Sequence, residues 1–302
     1  MEPRDLELAA LLVLLRRWPG GAGWNEIAIE VAARRSAIDT LAELPGDTLF
    51  ADSETEAWLE DAQQTVRQWR SAGYHLVTVL DEDFPQRLLE IRETPPFLFY
   101  EGKLREPDPG VSVVGSREAS DEGLRFAADA ARLLASEGLT VIAGLASGID
   151  TAAHRAALDA GSRTVAFVGT GITKHYPAAN AGLQKEIASR GLVFSQFYPD
   201  APPTKQTFPM RNATMSGYGL ATIVVEAGEF PGTRIQARVA GQHGRPVILT
   251  SRVVRSTNWG RELVGRPGVH VIDSLDELAQ VVNDIRTAPE RLRNALEALV
   301  SG

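Results

Sequence analysis

The chain reads as an α/β protein: a doubly wound, mainly parallel Rossmann-like sheet preceded by a small helical N-terminal domain. Three observations predict this. Short, predominantly apolar runs of four or five residues recur from residue 111 onward, as strands buried on both faces require. Helical segments alternate with those runs, which is the sequence form of a sheet covered by helices on both sides. Residues 1–72 read as helices instead, with apolar residues recurring at helical spacing.

Within residues 1–72, Leu8, Leu11, Leu12 and Leu15 share one helical face and end at a Pro19-Gly20-Gly21 break. Ile27 and Val31, then Ile38 and Leu41, form further sets before Pro45-Gly46. A longer amphipathic helix is predicted over residues 53–70, with Asp52 or Ser53 as N-cap and Gly73 as terminator. Residues 74–80 alternate toward β character until Asp81-Glu82-Asp83-Phe84-Pro85 interrupts them. Pro95-Pro96 and Pro107-Asp108-Pro109-Gly110 mark residues 73–108 as a connecting segment packing on the sheet domain, because proline holds the chain extended and withholds a donor.

The sheet domain is expected over residues 109–285. Its strands are predicted at 111–114, 139–143, 164–168, 192–195, 221–225, 246–249 and 269–272, with helices at 121–137 and from residue 150. Seven strand units favour an open sheet over a barrel, since an eighth repeat is missing. A C-terminal helix, residues 286–302, is expected to close the chain, its regular part beginning near residue 288.

Composition narrows the function. The 302 residues carry 31 Lys and Arg against 39 Asp and Glu, a net charge of −8, so the protein does not coat polyanions by overall charge. Any nucleic-acid site has to be local. With no cysteine there is no disulfide framework, zinc ribbon, iron–sulfur ligation or thiol catalysis. The five histidines, His75, His154, His175, His243 and His270, are too dispersed to suggest a metal site, and no cofactor is expected. The apolar start at residues 8–15 stops at Arg16-Arg17, too short to span a membrane, so a cytoplasmic protein is expected.

In a doubly wound sheet, ligands sit beyond the carboxyl ends of the strands. The first three predicted strands all end in glycine: Gly115-Ser116-Arg117, Gly144 through Ser147, Gly148 and Asp150, and Gly169-Thr170-Gly171. Glycine there admits positive φ and close approach of a ligand, and helix N-terminal amides point at the crevice, so an anion such as phosphate is the expected occupant. Arg117 and Lys174 add cations. Asp150 reads as the N-cap of its helix, and His154, one turn on, could pair with it. Glu226 ends the fifth strand and could bind a ribose hydroxyl, act as a base or hold a loop amide. Phe208-Pro209-Met210-Arg211-Asn212 sets an arginine near an aromatic, which suits stacking on unpaired bases.

Charge is unevenly divided. Residues 1–108 hold eleven cations and twenty-one acids, net −10, whereas residues 109–302 hold twenty and eighteen, net +2. Residues 201–270, Lys205 and Arg211 among them, carry nine cations against three acids, net +6, a footprint suited to a phosphate backbone.

These residues resemble the DprA/Smf family of DNA-processing proteins, collinearly over residues 74–275. The match is carried by Gly115-Ser116-Arg117, Ser147-Gly148-Ile149-Asp150 followed by Ala153-His154, Tyr176-Pro177 with Asn180, and Arg211-Asn212. The resemblance implies a single-stranded-DNA-binding protein that dimerises and helps load the RecA recombinase during natural transformation and recombination, by binding without turnover. It implies a strand site at Gly115, Ser116, Arg117, residues 144–150, Gly169, Gly171, Arg211 and Asn212. The family's usual further arginine is Ala213 here, and a lysine common near Tyr176-Pro177 is replaced by Ala178; Lys174 and Lys205 are the candidates to compensate. The family's Ser-Gly-Ser-Leu-Ile-Thr-Ala turn is here Pro231-Gly232-Thr233-Arg234-Ile235-Gln236-Ala237. No winged-helix domain is expected in the residues after Val271.

Two other readings stand beside this one: a nucleotide-binding sensor, and a relative of the LOG phosphoribohydrolases with a degenerate site. Pro231-Gly232-Thr233 faintly resembles the LOG turn, but Gln236 stands where that family has its catalytic glutamate, and an amide is no general base.

Overall fold

The computed structural model describes residues 2–18, 21–43, 52–229 and 231–300. Four helices come first: α1 (Pro3–Arg17), α2 (Trp24–Arg34), α3 (Ala37–Ala42) and α4 (Asp52–Ser71). Ser36 caps α3 by accepting from the Asp39 amide, and Gly73, at φ 75°, ends α4 with Tyr74 N donating to Trp69 O. The Pro19-Gly20 and Pro45-Gly46 breaks, and the side chains of Asp52 and Ser53, lie outside the described residues.

The sheet has nine strands: β1 (His75–Thr78), β2 (Phe97–Gly102), β3 (Gly110–Val114), β4 (Thr140–Ala143), β5 (Thr164–Phe167), β6 (Leu192–Ser195), β7 (Ala221–Val224), β8 (Val247–Thr250) and β9 (Val269–Ile272). Their order is β1-β2-β6-β5-β4-β3-β7-β8-β9. The seven from β3 to β9 are the predicted parallel strands. The segment expected to be a connector supplies two more: β2 pairs antiparallel with β6, and β1 antiparallel with β2. Phe97, Leu98 and Phe99 form a fully buried run, Phe97 and Leu98 in register with β1 and Phe99 opening the pairing with β6, and the prolines at 95 and 96 precede the strand instead of interrupting it.

The helices of the sheet region are α5 (Asp121–Ser136), α6 (Ile149–Asp159), α7 (Ala181–Arg190), α8 (Thr207–Tyr218), α9 (Pro231–Gln242), α10 (Ser251–Ser256), α11 (Asn258–Leu263) and α12 (Leu275–Val300). One sheet face buries Val111 and Val113 against α5, α6 and the first part of α12, through Ala127, Ala153, Leu278 and Val282. On the other, Val114 and Ile142 share a core with α8, α9 and the N-terminal helices. Trp24 and Trp69 meet Phe97, Phe99 and Tyr198 with ring centroids 4.9–5.8 Å apart, so an aromatic cluster joins the helical region to the sheet. The C-terminal helix starts at Leu275, not near residue 288, and runs through Pro289. Leu278 and Val282 anchor its first turns on the sheet, so the proline that reads as a helix start sits inside one.

From β3 the chain winds outward through β4, β5 and β6 in one direction, then returns to place β7, β8 and β9 on the other side. The switch point therefore lies between β3 and β7, where the loops after both strands diverge and leave a crevice.

Beneath the opposite end of β3, Asp108 is buried and accepts from Arg163 Nε at 2.8 Å, Tyr218 Oη at 2.8 Å and Thr140 Oγ1 at 2.5 Å. Burial, then the Asp108 charge, hold the Tyr218 hydroxyl protonated far above the usual tyrosine range. Removing the carboxylate leaves a largely buried guanidinium unpaired, so Asp108→Ala is expected to lower unfolding free energy by about 3–5 kcal/mol, read from urea denaturation.

Candidate functional site

The loop after β3, Gly115 to Ser120, is tied down at both ends. Ser116 N donates to Glu226 O at 2.7 Å, and Ser116 O accepts from Ile149 N at 3.2 Å. The Glu226 carboxylate accepts from Ser120 N at 2.9 Å and Ser120 Oγ at 2.6 Å. Of the three roles open to Glu226, the structure thus assigns it a loop amide. Arg252 stands 3.7 Å from the same carboxylate.

Asp150 is not an N-cap. Gly148, at φ 78°, holds that position, and Asp150 lies in the first turn of α6 with its carboxylate turned back onto Gly144 N (2.9 Å) and Ala146 N (3.4 Å). Burial pushes its carboxyl upward, while Arg211, the two amides and Arg117 oppose that shift. Asn180 fixes the same loop by donating to Leu145 O and Thr151 Oγ1, both at 2.9 Å, which helps hold Leu145 in the left-handed region at φ 60°. His154 does not pair with Asp150. Thr164 Oγ1 gives its one proton to Val141 O, so His154 Nδ1 donates to that hydroxyl at 2.7 Å.

Arg211 enters from the second turn of α8 and is 6% exposed. Its Nη1 donates to Phe167 O at 2.6 Å and to Gly144 O. Burial lowers its pKa to about 10 against the support of Asp150, and Arg117 adds to the lowering. The glycines at the strand ends make room for this packing. A Cβ at Gly144 would overlap the Arg211 guanidinium, one at Gly169 would meet the Phe208 ring at 2.6 Å, and one at Gly115 would meet Ile149 at 2.6 Å. Of the glycines expected to admit a ligand through positive φ, only Gly148 has it.

The amides expected to face an anion are largely engaged within the protein: Ser116 N on Glu226, Gly144 N and Ala146 N on Asp150, Glu118 N on Ser116 Oγ, and Gly171 N on Ala201 O. The donors left facing the crevice are therefore chiefly side chains. Arg117 is exposed, has no acidic partner within ion-pair distance among the described residues, and lies with Cζ 5.6 Å from the Phe208 ring centroid. Tyr176 stands beside Phe208, their centroids 5.4 Å apart.

Two cavities adjoin at Arg117, Ala146 and Arg211. The smaller, about 190 Å³, adds Gly144, Ser147, Gly169, Tyr176, Pro177 and Phe208. The larger, about 700 Å³, lies at the switch point, between the β3 loop with Gly115 and Ser116, the α8 face bearing Asn212 and Met215, and the start of α9 with Gly232, Thr233 and Gln236. Glu118 and Asp150 line it as well, so its charge is mixed. Gly148, Gly171, Lys174 and Lys205 line neither cavity. Gly148 packs on the Ser116 carbonyl, Gly171 packs on the carbonyls of Tyr198 and Pro199, Lys174 lies 3.7 Å from Asp200, and Lys205 is exposed on the turn before α8. Ala213 is buried in α8, so the missing family arginine would have faced packed core.

The basic excess of residues 201–270 is partly cancelled by acids distant in sequence. Arg245 pairs with Glu90, Arg252 with Glu122, and Arg255 lies 3.8 Å from Asp273. Contributors to the site that escaped the sequence reading include Tyr176 and Pro177 as a wall, Glu118, Met215 and the first turns of α9. The Tyr-Pro pair beside a glycine-rich strand end was the available signal for the first two.

Fold and site together define a doubly wound α/β protein with a cavity at its topological switch point and a smaller, aromatic-walled cavity beside it, the exposed Arg117 shared between them. Comparison with known proteins narrows this. The family model for DNA recombination-mediator protein A matches residues 75–283, and the chain belongs to that family, the DprA/Smf proteins. It is 42% identical over 172 residues to DNA processing protein DprA of Streptococcus pneumoniae, covering 57% of this chain and 61% of that protein. It is 37% identical over 196 residues to protein Smf of Synechocystis, covering 63% of this chain and 48% of that protein. The matched stretch thus spans about half the length of these curated relatives. The crystal structure of S. pneumoniae DprA superposes with a TM-score of 0.70 at 28% identity, covering 91% of this chain and 96% of that one. A structure of the Helicobacter pylori protein, described for its single-stranded-DNA binding mode, shares the fold at a TM-score of 0.63 and 22% identity, covering 70% of this chain and 96% of that one. Among the described residues no helix is long and apolar enough to cross a membrane.

Gly144→Ala forces the Arg211 guanidinium off its carbonyls and is expected to destabilise the protein by about 1–3 kcal/mol, measured by urea unfolding. His154 supplies a pH signature. Burial, then the Arg211 charge, lower its pKa from 6.5 to about 3. The unfolded chain therefore binds a proton that the folded protein refuses between those values. Its contribution is complete above pH 6.5 and is lost as pH falls toward 3, at up to about 1.4 kcal/mol per unit. A plot of unfolding free energy against pH should lose that part of its slope in His154→Leu.

Proposed function

We propose that the chain binds single-stranded DNA in the crevice, without sequence readout and without turnover, and that through family kinship it helps load the RecA recombinase in DNA uptake and recombination, as a homodimer. The observation that carries the DNA reading is Arg117, an exposed cation without an acidic partner among the described residues, set over Phe208 beside Tyr176 at the junction of two cavities. A cation flanked by aromatic faces suits a strand whose phosphate is neutralised while its bases stack, and every base has a π-face. Gln236 in place of a carboxylate supports binding over hydrolysis, since an amide does not activate water. The DNA-binding description of the H. pylori relative and the recombination-mediator family agree with this reading.

A second reading, a nucleotide sensor, is favoured by the size of the switch-point cavity, about 700 Å³, within the range of small-molecule sites. Filter binding of single-stranded DNA, duplex and mononucleotide at low salt separates the two. Retention of single strands in preference to duplex is the expected outcome. No retention, together with a thermal shift by a mononucleotide alone, would replace the DNA reading with the sensor. Arg117→Ala should weaken all single-stranded sequences alike and lower the slope of log K against log salt by roughly 0.7 to 1; an unchanged slope removes Arg117 from phosphate contact.

A further inference from the structure

Gln236 is 1% exposed, and neither its Nε2 nor its Oε1 has a hydrogen-bond partner among the described residues. An amide in that state costs free energy in the empty protein, which makes it an unusual wall for a cavity of about 700 Å³. Its position is set by the helix. Gly232, Thr233 and Gln236 fall three and four residues apart on one face of α9, and all three line the cavity. Arg211, Asn212 and Met215 face them from α8. Arg117 and Arg211 form the wall shared with the smaller cavity, where Tyr176 and Phe208 supply the aromatic faces.

We propose that Gln236 is a base-holding residue: a nucleotide of the bound strand enters the switch-point cavity and places the hydrogen-bonding edge of its base on the Gln236 amide. The inference rests on the single-stranded-DNA reading and adds to it. A strand crossing Arg117 sets one base on Phe208 and Tyr176 and the neighbouring base in the larger cavity. A carboxamide offers one acceptor beside two donors and presents them in either order by rotation about its last bond. Each of the four bases carries an adjacent donor and acceptor on its edge, so one glutamine satisfies any of them. The site thus requires a base without selecting which one.

The test compares the full-length protein with Gln236→Met and Gln236→Leu on two probes, oligo-dT and an abasic oligonucleotide of equal length, alongside thermal melting. Wild type is expected to bind oligo-dT more tightly than the abasic strand. Both variants should bind oligo-dT about fivefold more weakly, bind the abasic strand unchanged, and melt at higher temperature, because an unpaired buried amide has been removed. Equal losses on the two probes, no loss on oligo-dT, or a lower melting temperature in both variants would overturn the proposal. Wild type binding neither probe would instead overturn the DNA reading beneath it, a result visible before any variant is examined.

Discussion

The crevice depends on one buried cation. Arg211 reaches from α8 to the carbonyls that end β4 and β5, and so fixes three elements at the carboxyl edge of the sheet with one planar group. A guanidinium taken out of water needs partners for its charge and protons; here two carbonyls take Nη1 and the nearby Asp150 charge supports the cation, while Nε has no partner among the described residues. The lowered pKa of Arg211 records the cost of its burial. Gly144 follows from this constraint, because a Cβ there would occupy the guanidinium's space, and Gly169 follows from the ring of Phe208 three residues before Arg211. Arg211 also forms the partition between the two cavities, so the same group shapes the site and holds its walls.

Two carboxylates organise the loops around it. Asp150 gathers the amides of the β4 loop, and Glu226 gathers the β3 loop at Ser120. Both point inward to protein donors, and this distinguishes the crevice from a dinucleotide site, where glycine-loop amides are left for a pyrophosphate. Once those donors are engaged, attraction for an anion passes to Arg117, whose side chain is exposed and unpaired among the described residues. Under the proposed reading, an exposed forked cation next to aromatic rings would tolerate variation in a bound strand, whereas an amide cradle would demand one phosphate geometry.

The acidic N-terminal region is more than an appendage. Its aromatic residues enter the core through Trp24 and Trp69, and β1 and β2 extend the sheet past β6. Glu90 and Glu93 from the intervening segment reach across to Arg245 and His243. Part of the negative charge in residues 1–108 is thus used to neutralise Arg245 beside the sheet.

Periodicity and turn chemistry made the parallel strands, the helices between them and the glycine-bearing strand ends legible, because burial on both faces forces uninterrupted apolar runs and each switch of direction needs a breaker. The collinear motifs from Gly115 to Arg211 made the family legible. What sequence could not convey is direction. Glycine at 115, 144 and 169 is equally compatible with a ligand approaching from outside and a side chain packing from within, and only the placement of Ile149, Arg211 and Phe208 decides for the second. Phe97 to Phe99 looks like a connector until β1 and β6 offer edges to pair with, and only the structure shows that Lys174 and Lys205 stand outside the walls of both cavities. Gln236 looks like the loss of a carboxylate until the sheet brings α9 against α8 and leaves its amide unpaired at the wall of a cavity. Local pattern determined which elements form, since that depends on neighbours in the chain; the site belongs to the tertiary structure, since its walls come from segments more than a hundred residues apart.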